Sequence, residues 1–186
     1  MKKSQLPPLP DYFQKTIDFC EDVTPVEILQ LAQNELLQWD WNTWKTLGTL
    51  TYQEGKWTLN DILQHLIDST WIFAYRALCY SRGEKLHLPV YDEDEYARNA
   101  SANHRNPDDL VFELNLLYSS TIALFKSFDH EKLVRTGMSF KGEYSVASIA
   151  FIIAGHQRRH FKTLQERYSH LLDPNLLNNS TSEVNV

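Results

Sequence analysis

The sequence contains few of the residues that break up helices or link a chain covalently. Its 186 residues include 6 glycines, 7 prolines and 2 cysteines. So few turn-forming residues argue against an all-β fold and favour long helices. The cysteines, Cys20 and Cys79, follow an N-terminus without a signal-peptide pattern, so we expect two free thiols rather than a disulfide. These features predict a cytoplasmic protein.

Features typical of membrane and nucleic-acid-binding proteins are also missing. No apolar run approaches the roughly 18 residues that identify a membrane-spanning helix. The net charge of −6 has the wrong sign for binding a phosphate backbone. The Walker loop, the GxSxG elbow and the GxGxxG fingerprint do not occur. We therefore expect no membrane and no nucleic-acid partner, and nothing indicates nucleotide binding or serine hydrolase chemistry.

Four segments combine a helix-start signal with a stripe of apolar residues. The starts are Thr24-Pro25, Thr58-Leu59, Asn106-Pro107 and Ser145-Val146. Between them we expect an acidic loop over 84–105 and a loop or short hairpin over 136–144. The pattern predicts an all-α fold, a four-helix bundle with long inter-helix loops. We place a flexible segment at 1–10, a single domain at 11–172 and a flexible tail at 173–186.

Two histidines in the last predicted helix, His156 and His160, are one turn apart and continue its apolar stripe. Residues at this spacing share a helix face, so both imidazoles could reach one metal ion. His65 occupies an inward position on the second long helix. Metal ligation would relieve the cost of burying unpaired imidazoles, which is about 1–3 kcal/mol each. The alternative is that both are half-exposed and satisfied by water or a carboxylate.

Four further residues are candidates for the surroundings of such a site. Asp68, one turn after His65, could orient a ligand, act as a fourth ligand or simply be solvated, and we favour the orienting role. Arg76 could hold an anionic substrate or pair with an acidic neighbour, and we expect the pairing. Tyr96 and Arg98 lie in the acidic loop, and such loops at bundle ends can form ligand pockets.

Several stretches of the sequence match a known family in order along the chain. They are 55–58 GKWT, 64–68 QHLID, 73–78 FAYRAL, 91–96 YDEDEY, 152–160 IIAGHQRRH and 166–168 ERY. These segments resemble the DinB/YfiT-like metalloenzyme superfamily, and the similarity extends from about residue 10 to 172. The resemblance implies an up-down four-helix bundle in which His65, His156 and His160 bind a divalent metal. It also implies a homodimer, and its characterised members include S-transferases and isomerases that use low-molecular-weight thiols.

The sequence departs from the family pattern at three positions close to the histidines. Thr70 stands where a glutamate is usual, and Gln157 and Arg159 replace a glutamate and a second histidine. The predicted ligands remain, while their polar surroundings change.

Two hypotheses for function follow from these residues. The first is a metal-dependent transferase or hydrolase acting on a small-molecule substrate, with an open metal position for water or for a co-substrate thiol. Imidazole ligands suit several metals, of which we expect Zn or Ni. The second is a non-catalytic metal-binding or small-ligand-binding bundle, which the loss of the glutamate at Thr70 favours. A structural zinc site would require a fourth protein ligand such as Asp68.

Overall fold

A computed structural model describes residues 1–85, 89–139 and 142–172. The helices of this part are α1 Asp11–Ile17, α2 Pro25–Gln38, α3 Trp41–Trp44, α4 Leu59–Ser81, α5 Glu93–Ala100, α6 Pro107–Lys126, α7 His130–Val134 and α8 Val146–Arg167. Strands β1 Thr136–Ser139 and β2 Gly142–Ser145 form an antiparallel hairpin. The prediction of a hairpin before the last helix is therefore confirmed. The predicted tail, 173–186, lies outside the described residues.

The four predicted starts of long helices are confirmed by their capping contacts. The Thr24 side chain accepts from the Glu27 backbone N–H, and the Glu27 carboxylate accepts from the Thr24 N–H at 2.8 Å. Thr58 and Asp61 form the same reciprocal pair at the start of α4. Asn106 caps α6 and Ser145 caps α8 through their side-chain oxygens. These local bonds satisfy backbone donors that would otherwise lack partners in the first turn.

The long helices α2, α4, α6 and α8 form a four-helix bundle, which confirms the predicted fold class. Helix α6 packs between α2 and α4, and α8 packs between the same two helices on the other side. The order around the bundle is therefore α2, α6, α4, α8. Helices α2 and α4 lie across one diagonal of the bundle, and α6 and α8 lie across the other.

Helices α4 and α6 are neighbours that run in the same direction. Arg105, just before α6, donates to the Gln64 side chain in the first third of α4 at 2.7 Å. Arg135, beyond the end of α6, donates to the carbonyl of Ser81, the last residue of α4, at 2.6 Å. The two helices thus begin at one end of the bundle and finish at the other.

Contacts at the helix ends give the directions of the other two long helices. Arg76, late in α4, contacts the Tyr144 hydroxyl just before α8, so α8 runs antiparallel to α4. Lys45, beyond the end of α2, pairs at 2.7 Å with Asp108 in the first turn of α6, so α2 runs antiparallel to α6. The order of directions is up, down, down, up. The four-helix bundle is as predicted, but its helices do not alternate in direction, because α4 and α6 are parallel.

The connection from α4 to α6 must return along the length of the bundle, because these two helices are parallel. Twenty-three residues of α4 rise by about 34 Å at 1.5 Å per residue. The predicted acidic loop lies in this connection. The prediction is wrong for part of it, because that part forms helix α5. The Asp92 carboxylate caps α5 by accepting from the backbone N–H groups of Asp94 and Glu95 at 3.0 and 2.9 Å.

Helix α1 lies across α8 at a point where the two backbones approach closely. A Cβ added to Gly155 would be 2.2 Å from the carbonyl oxygen of Thr16, so only glycine fits there without a shift. This contact places α1 beside the part of α8 that carries the histidines.

The segment 1–10, predicted to be flexible, lies against the turn that precedes α2. The Lys3 backbone N–H donates to the Val23 carbonyl at 3.2 Å, and Ser4 donates to the Asp22 carboxylate at 2.7 Å. Both cysteines are free thiols, as expected. Across the described ranges, no helix is both long enough and apolar enough to cross a membrane.

Candidate metal centre

The three predicted histidines lie together between α4 and α8. His156 Nε2 is 3.1 Å from His65 Nε2 and 3.1 Å from His160 Nε2. One nitrogen from each ring lies within 4.8 Å of the corresponding nitrogens of the other two. The i, i+4 spacing on α8 brings two of them together, and the antiparallel packing of α4 supplies the third. The structure therefore places the three side chains around one point.

The contacts of Ser69 favour one tautomer of His156, in which Nδ1 carries the proton. Its hydroxyl lies 3.3 Å from His156 Nδ1 and donates its hydrogen to the Leu66 carbonyl at 3.2 Å. With that hydrogen donated to the carbonyl, the Ser69 oxygen can accept from His156 Nδ1–H, and this pair of contacts favours that tautomer. The Nε2 atom then has a free lone pair directed at the other two histidines.

All three imidazoles are neutral at physiological pH, since burial disfavours their charged forms. Burial lowers the pKa of His65 to about 4. Burial, followed by the charges of His65 and Arg159, lowers the pKa of His160 to about 3. Burial and the neighbouring His160 and His65 hold the pKa of His156 well below its usual value. Neutral imidazole is the form that binds a metal ion.

The donor set fits a metal better than it fits a closed hydrogen-bond network. With Nδ1 protonated, His156 Nε2 has one lone pair and can accept only one N–H, yet it has two neighbours at 3.1 Å. One of these contacts therefore lacks a hydrogen atom unless a cation lies between the rings. Two nitrogens bound at 2.0–2.1 Å to a tetrahedral zinc ion are about 3.3 Å apart, close to the observed separations.

Trp57 is a wall of the site that sequence reasoning did not identify as functional. Its ring is nearly parallel to that of His160, with centroids 6.1 Å apart and an interplanar angle of 16°. The same indole contacts His65 at a centroid distance of 4.7 Å. Trp57 thus limits the movement of two of the three imidazoles. Its place in the 55–58 match is the one signal that could have pointed to it.

A cavity of about 350 Å³ opens above the three histidines. It is formed by α1, α4, α5, α8 and the connection before α4, and its polar wall residues include Tyr52, Lys56, Glu93, Asp94, Arg159 and Thr163. Lys56, Glu93, Asp94 and Arg159 are exposed, so the cavity reaches solvent. The centre is therefore accessible to a small molecule and is lined by charges of both signs.

The other predicted residues lie at different distances from this cavity. Asp68 is half-buried, accepts from the Gln64 side chain at 2.8 Å, and does not line the cavity. Burial raises its pKa. Tyr96 packs against Tyr91 with ring centroids 4.9 Å apart, and Arg98 lines a neighbouring groove. The histidine cavity includes neither Tyr96 nor Arg98.

Arg76 lies in a second, smaller cavity that also borders His156. The volume of this cavity is about 60 Å³, and its walls include Tyr12, Phe73 and Tyr91. The pairing that we expected for Arg76 does not occur in the described part of the chain, because no carboxylate there lies within 4 Å of its guanidinium.

Comparison with known proteins identifies the family. The family model of the DinB superfamily matches residues 28–164. The chain belongs to the DinB superfamily. The match contains all three histidines, and it confirms the resemblance that the sequence motifs indicated. No curated protein matches the chain in sequence.

Solved structures resemble the fold of this chain at low sequence identity. YfiT from Bacillus subtilis, described as a probable metal-dependent hydrolase with an unusual four-helix bundle topology, has a TM-score of 0.70 and 17% identity, over 79% of this chain and 85% of YfiT. A mycothiol-dependent maleylpyruvate isomerase has a TM-score of 0.57 and 13% identity, over 73% of this chain. This chain spans only 57% of that isomerase. At these identities the likeness shows the fold alone.

The three departures from the DinB pattern have separate structural roles. The Thr70 hydroxyl turns back to the Leu66 carbonyl at 2.7 Å within α4. Gln157 is buried and donates to the Ala32 carbonyl at 2.8 Å, which ties α8 to α2. Arg159 is exposed and lines the histidine cavity. One departure therefore contributes a cation to the cavity, and the other two serve packing.

Proposed function

We propose that this DinB protein is a divalent-metal-dependent enzyme of the transferase or hydrolase type. His65, His156 and His160 would hold the ion through their Nε2 atoms, with Zn or Ni as the expected metal. The observation that carries the proposal is the convergence of three neutral imidazoles below an open, polar cavity. Three protein ligands would leave a coordination position for a reactant, as in catalytic rather than structural zinc sites.

A bound divalent ion would supply Lewis acidity and lower the pKa of a thiol or water at this position. The protein's own groups would orient the reactants. Ser69 would keep the proton on His156 Nδ1 and so leave Nε2 available to the ion. Trp57 covers His65 and His160 from one side, which excludes water from that face and leaves the cavity side for the substrate.

A low-molecular-weight thiol is our preferred co-substrate. The cavity volume of about 350 Å³ is at the lower end of the usual range for small-molecule sites. Lys56 and Arg159 could bind carboxylates of such a thiol, and Glu93 and Asp94 could bind its amino group. The thiol dependence of the isomerase with the same fold supports this choice. Hydrolysis, the role described for YfiT, would use water in place of the thiol.

A non-catalytic, metal-binding bundle is the alternative function. The observation in its favour is Thr70, whose hydroxyl is engaged within its own helix where a glutamate is usual. The open polar cavity argues against this alternative, because a bundle that has lost catalytic activity should have a filled or apolar cavity entrance. A structural zinc site has less support, since the cluster within the described ranges has no fourth His, Cys, Asp or Glu.

Metal content and activity test the proposal together. Mass spectrometry of untagged protein should find about one divalent ion per chain, and the His160→Ala and His156→Ala/His160→Ala variants should lose it. Tyr96→Ala is the matched control and should retain the metal, because Tyr96 packs against Tyr91 outside the cavity. A folded wild-type protein that takes up neither added Zn nor Ni would refute the metal site.

The metal-loaded protein should then be assayed with a thiol plus an electrophile, and separately with an activated ester. Turnover that is lost in the double histidine variant would support catalysis. Stoichiometric metal without either activity would favour the non-catalytic alternative. We propose the cytoplasm as the location, since Cys20 and Cys79 are free thiols that suit a reducing compartment.

A further inference from the structure

Arg76 carries a buried positive charge that no carboxylate in the described ranges balances. The residue is 2% exposed. Its guanidinium donates to the Pro89 carbonyl at 3.0 Å and, over a long 3.4 Å, to the Tyr144 hydroxyl, and it lies 5.5 Å from the centroid of the Phe73 ring. These partners are all neutral. A buried guanidinium usually has an anionic partner, since removing its charge from water is costly.

Glu93 is the acidic residue that shares a cavity with Arg76, but it does not pair with it. Glu93 is exposed in the first turn of α5 and lies beyond ion-pairing distance of Arg76. Its carboxylate is therefore solvated and does not balance the charge of Arg76. The guanidinium fork remains suited to bidentate binding of a carboxylate.

The cavity of Arg76 leads directly to the candidate metal centre. His156, Tyr12 and Glu93 line both this cavity of about 60 Å³ and the larger one of about 350 Å³. A ligand in the smaller space would thus be bounded by a cation on one side and by a histidine of the cluster on the other.

From this arrangement we infer that Arg76 binds the carboxylate of a substrate whose reacting group lies at the histidine cluster. The inference rests on the proposed function for the identity of that reacting group, but the anion site itself rests on Arg76 and its cavity. An anion site at Arg76 narrows the substrate class to small carboxylic acids.

The walls of the smaller cavity indicate what else such an acid should contain. Phe13, Phe73 and Ile152 supply apolar surface, which fits a short hydrocarbon portion between the carboxylate and the reacting group. A volume of about 60 Å³ corresponds to roughly two water molecules in the liquid, enough for a carboxylate group. Burial raises the pKa of Tyr91, so its hydroxyl stays protonated and can donate to a bound anion.

The experiment compares butyrate with butyramide, its neutral isostere, as probes of the full-length protein. Both are titrated into zinc-loaded and EDTA-treated samples, with the arginine Nε–H signals followed by NMR and the Arg76 signal assigned from Arg76→Lys. We expect butyrate to shift the Arg76 signal in both samples and to bind at least 10-fold more tightly than butyramide. Arg76→Gln should abolish this preference, and Glu93→Gln should strengthen butyrate binding by removing a nearby negative charge.

Some outcomes would refute the anion site at Arg76. They can be distinguished from outcomes that would refute the proposed metal-dependent function. Equal binding of the two probes, or an unmoved Arg76 signal, would refute the anion site using the wild-type protein alone, even if Arg76→Gln does not fold. Butyrate binding that needs zinc and survives Arg76→Gln would place the carboxylate on the metal and also refute it. Butyrate binding through Arg76 in a protein that takes up no metal would retain the anion site and reject the proposed function.

Discussion

Ser69 Oγ lies 3.3 Å from His156 Nδ1, on the side of the ring that faces away from the other two histidines. The serine follows His65 by one turn, so both side chains reach the cluster from the same face of α4. Through this contact α4 contributes one candidate ligand and also orients a second one that belongs to α8. Ser69 is a positioning residue, since it acts on the cluster through His156.

Replacing Ser69 with alanine should weaken metal binding without removing it. The His156 ring would lose the acceptor that keeps its proton on Nδ1, and loss of such a contact typically lowers metal affinity 10–100-fold. Competition with a zinc chelator measures the affinity directly. Ser69→Thr retains the hydroxyl and should restore most of it. An alanine variant with unchanged affinity would show that the hydroxyl does not set the tautomer of His156.

The metal-free protein should lose stability as the pH falls from 6.5 toward 4. Burial lowers the pKa of His65 to about 4, whereas an unfolded histidine titrates near 6.5. Below 6.5 the unfolded chain therefore binds more protons, and the free energy of unfolding decreases. At pH 5.5 the loss is about 1.4 kcal/mol for each histidine that stays neutral in the folded state.

Urea unfolding in EDTA at pH 7.5 and 5.5 measures this difference. His65→Gln should reduce the pH dependence, while the same change at the exposed His104 should leave it intact. A wild-type protein that is equally stable at both pH values would show that the cluster is not held neutral.

Gly155→Ala should destabilise the protein, although alanine is the better helix former. In an open helix interior this change stabilises by about 1 kcal/mol. Here the new methyl group would be 2.2 Å from the Thr16 carbonyl oxygen, so α1 must move. We expect a net loss of roughly 1–3 kcal/mol in the free energy of unfolding. Ala154→Gly on the same helix tests propensity without that contact. A stabilised Gly155→Ala variant would refute the close packing of α1.

The homodimer remains a prediction, and exposed apolar side chains on the neighbouring helices α4 and α6 could form it. Trp71 and Tyr75 on α4 are 56% and 57% exposed, and Phe112 and Leu116 on α6 are 62% and 53% exposed. Light scattering should give a dimer for the wild type and a monomer for Trp71→Glu/Phe112→Glu. Leu37→Glu, at a side chain of 56% exposure on α2, should not change the mass. A dimer that persists in the double variant would exclude this surface.

The parts of the structure that depend on local pattern could be predicted from the sequence. Helix starts follow from caps such as Thr58, and the pairing of His156 with His160 follows from helical periodicity. The inward position of His65 follows from the apolar stripe of α4. The meeting of all three still required the knowledge that α4 packs against α8. An apolar stripe shows which side of a helix is buried and does not identify its neighbour.

Features that depend on tertiary geometry escaped the sequence reasoning. Trp57 precedes a helix, and its contact with His160 arises from the path of an irregular connection that has no period. The order of the helices around the bundle also leaves no periodic pattern in the sequence, so it could not be predicted. Helix α5 was missed because it has no buried residues to create a stripe, although Asp92 was available as a cap signal. Arg76 was expected to pair with an acidic neighbour, and only the packing around it shows that no carboxylate in the described ranges does so.

The parallel packing of α4 and α6 places the candidate metal ligands on the bundle helices and leaves part of the cavity walls to the connection between these two helices. The three histidines and Ser69 belong to the bundle helices, whereas Tyr91, Glu93 and Asp94 lie in the lengthwise connection between α4 and α6. Exchanging that connection would alter what enters the cavities and leave the donor nitrogens in place. Such a separation allows the reactants that enter the cavities to be changed within a single stretch of chain, without rebuilding the core.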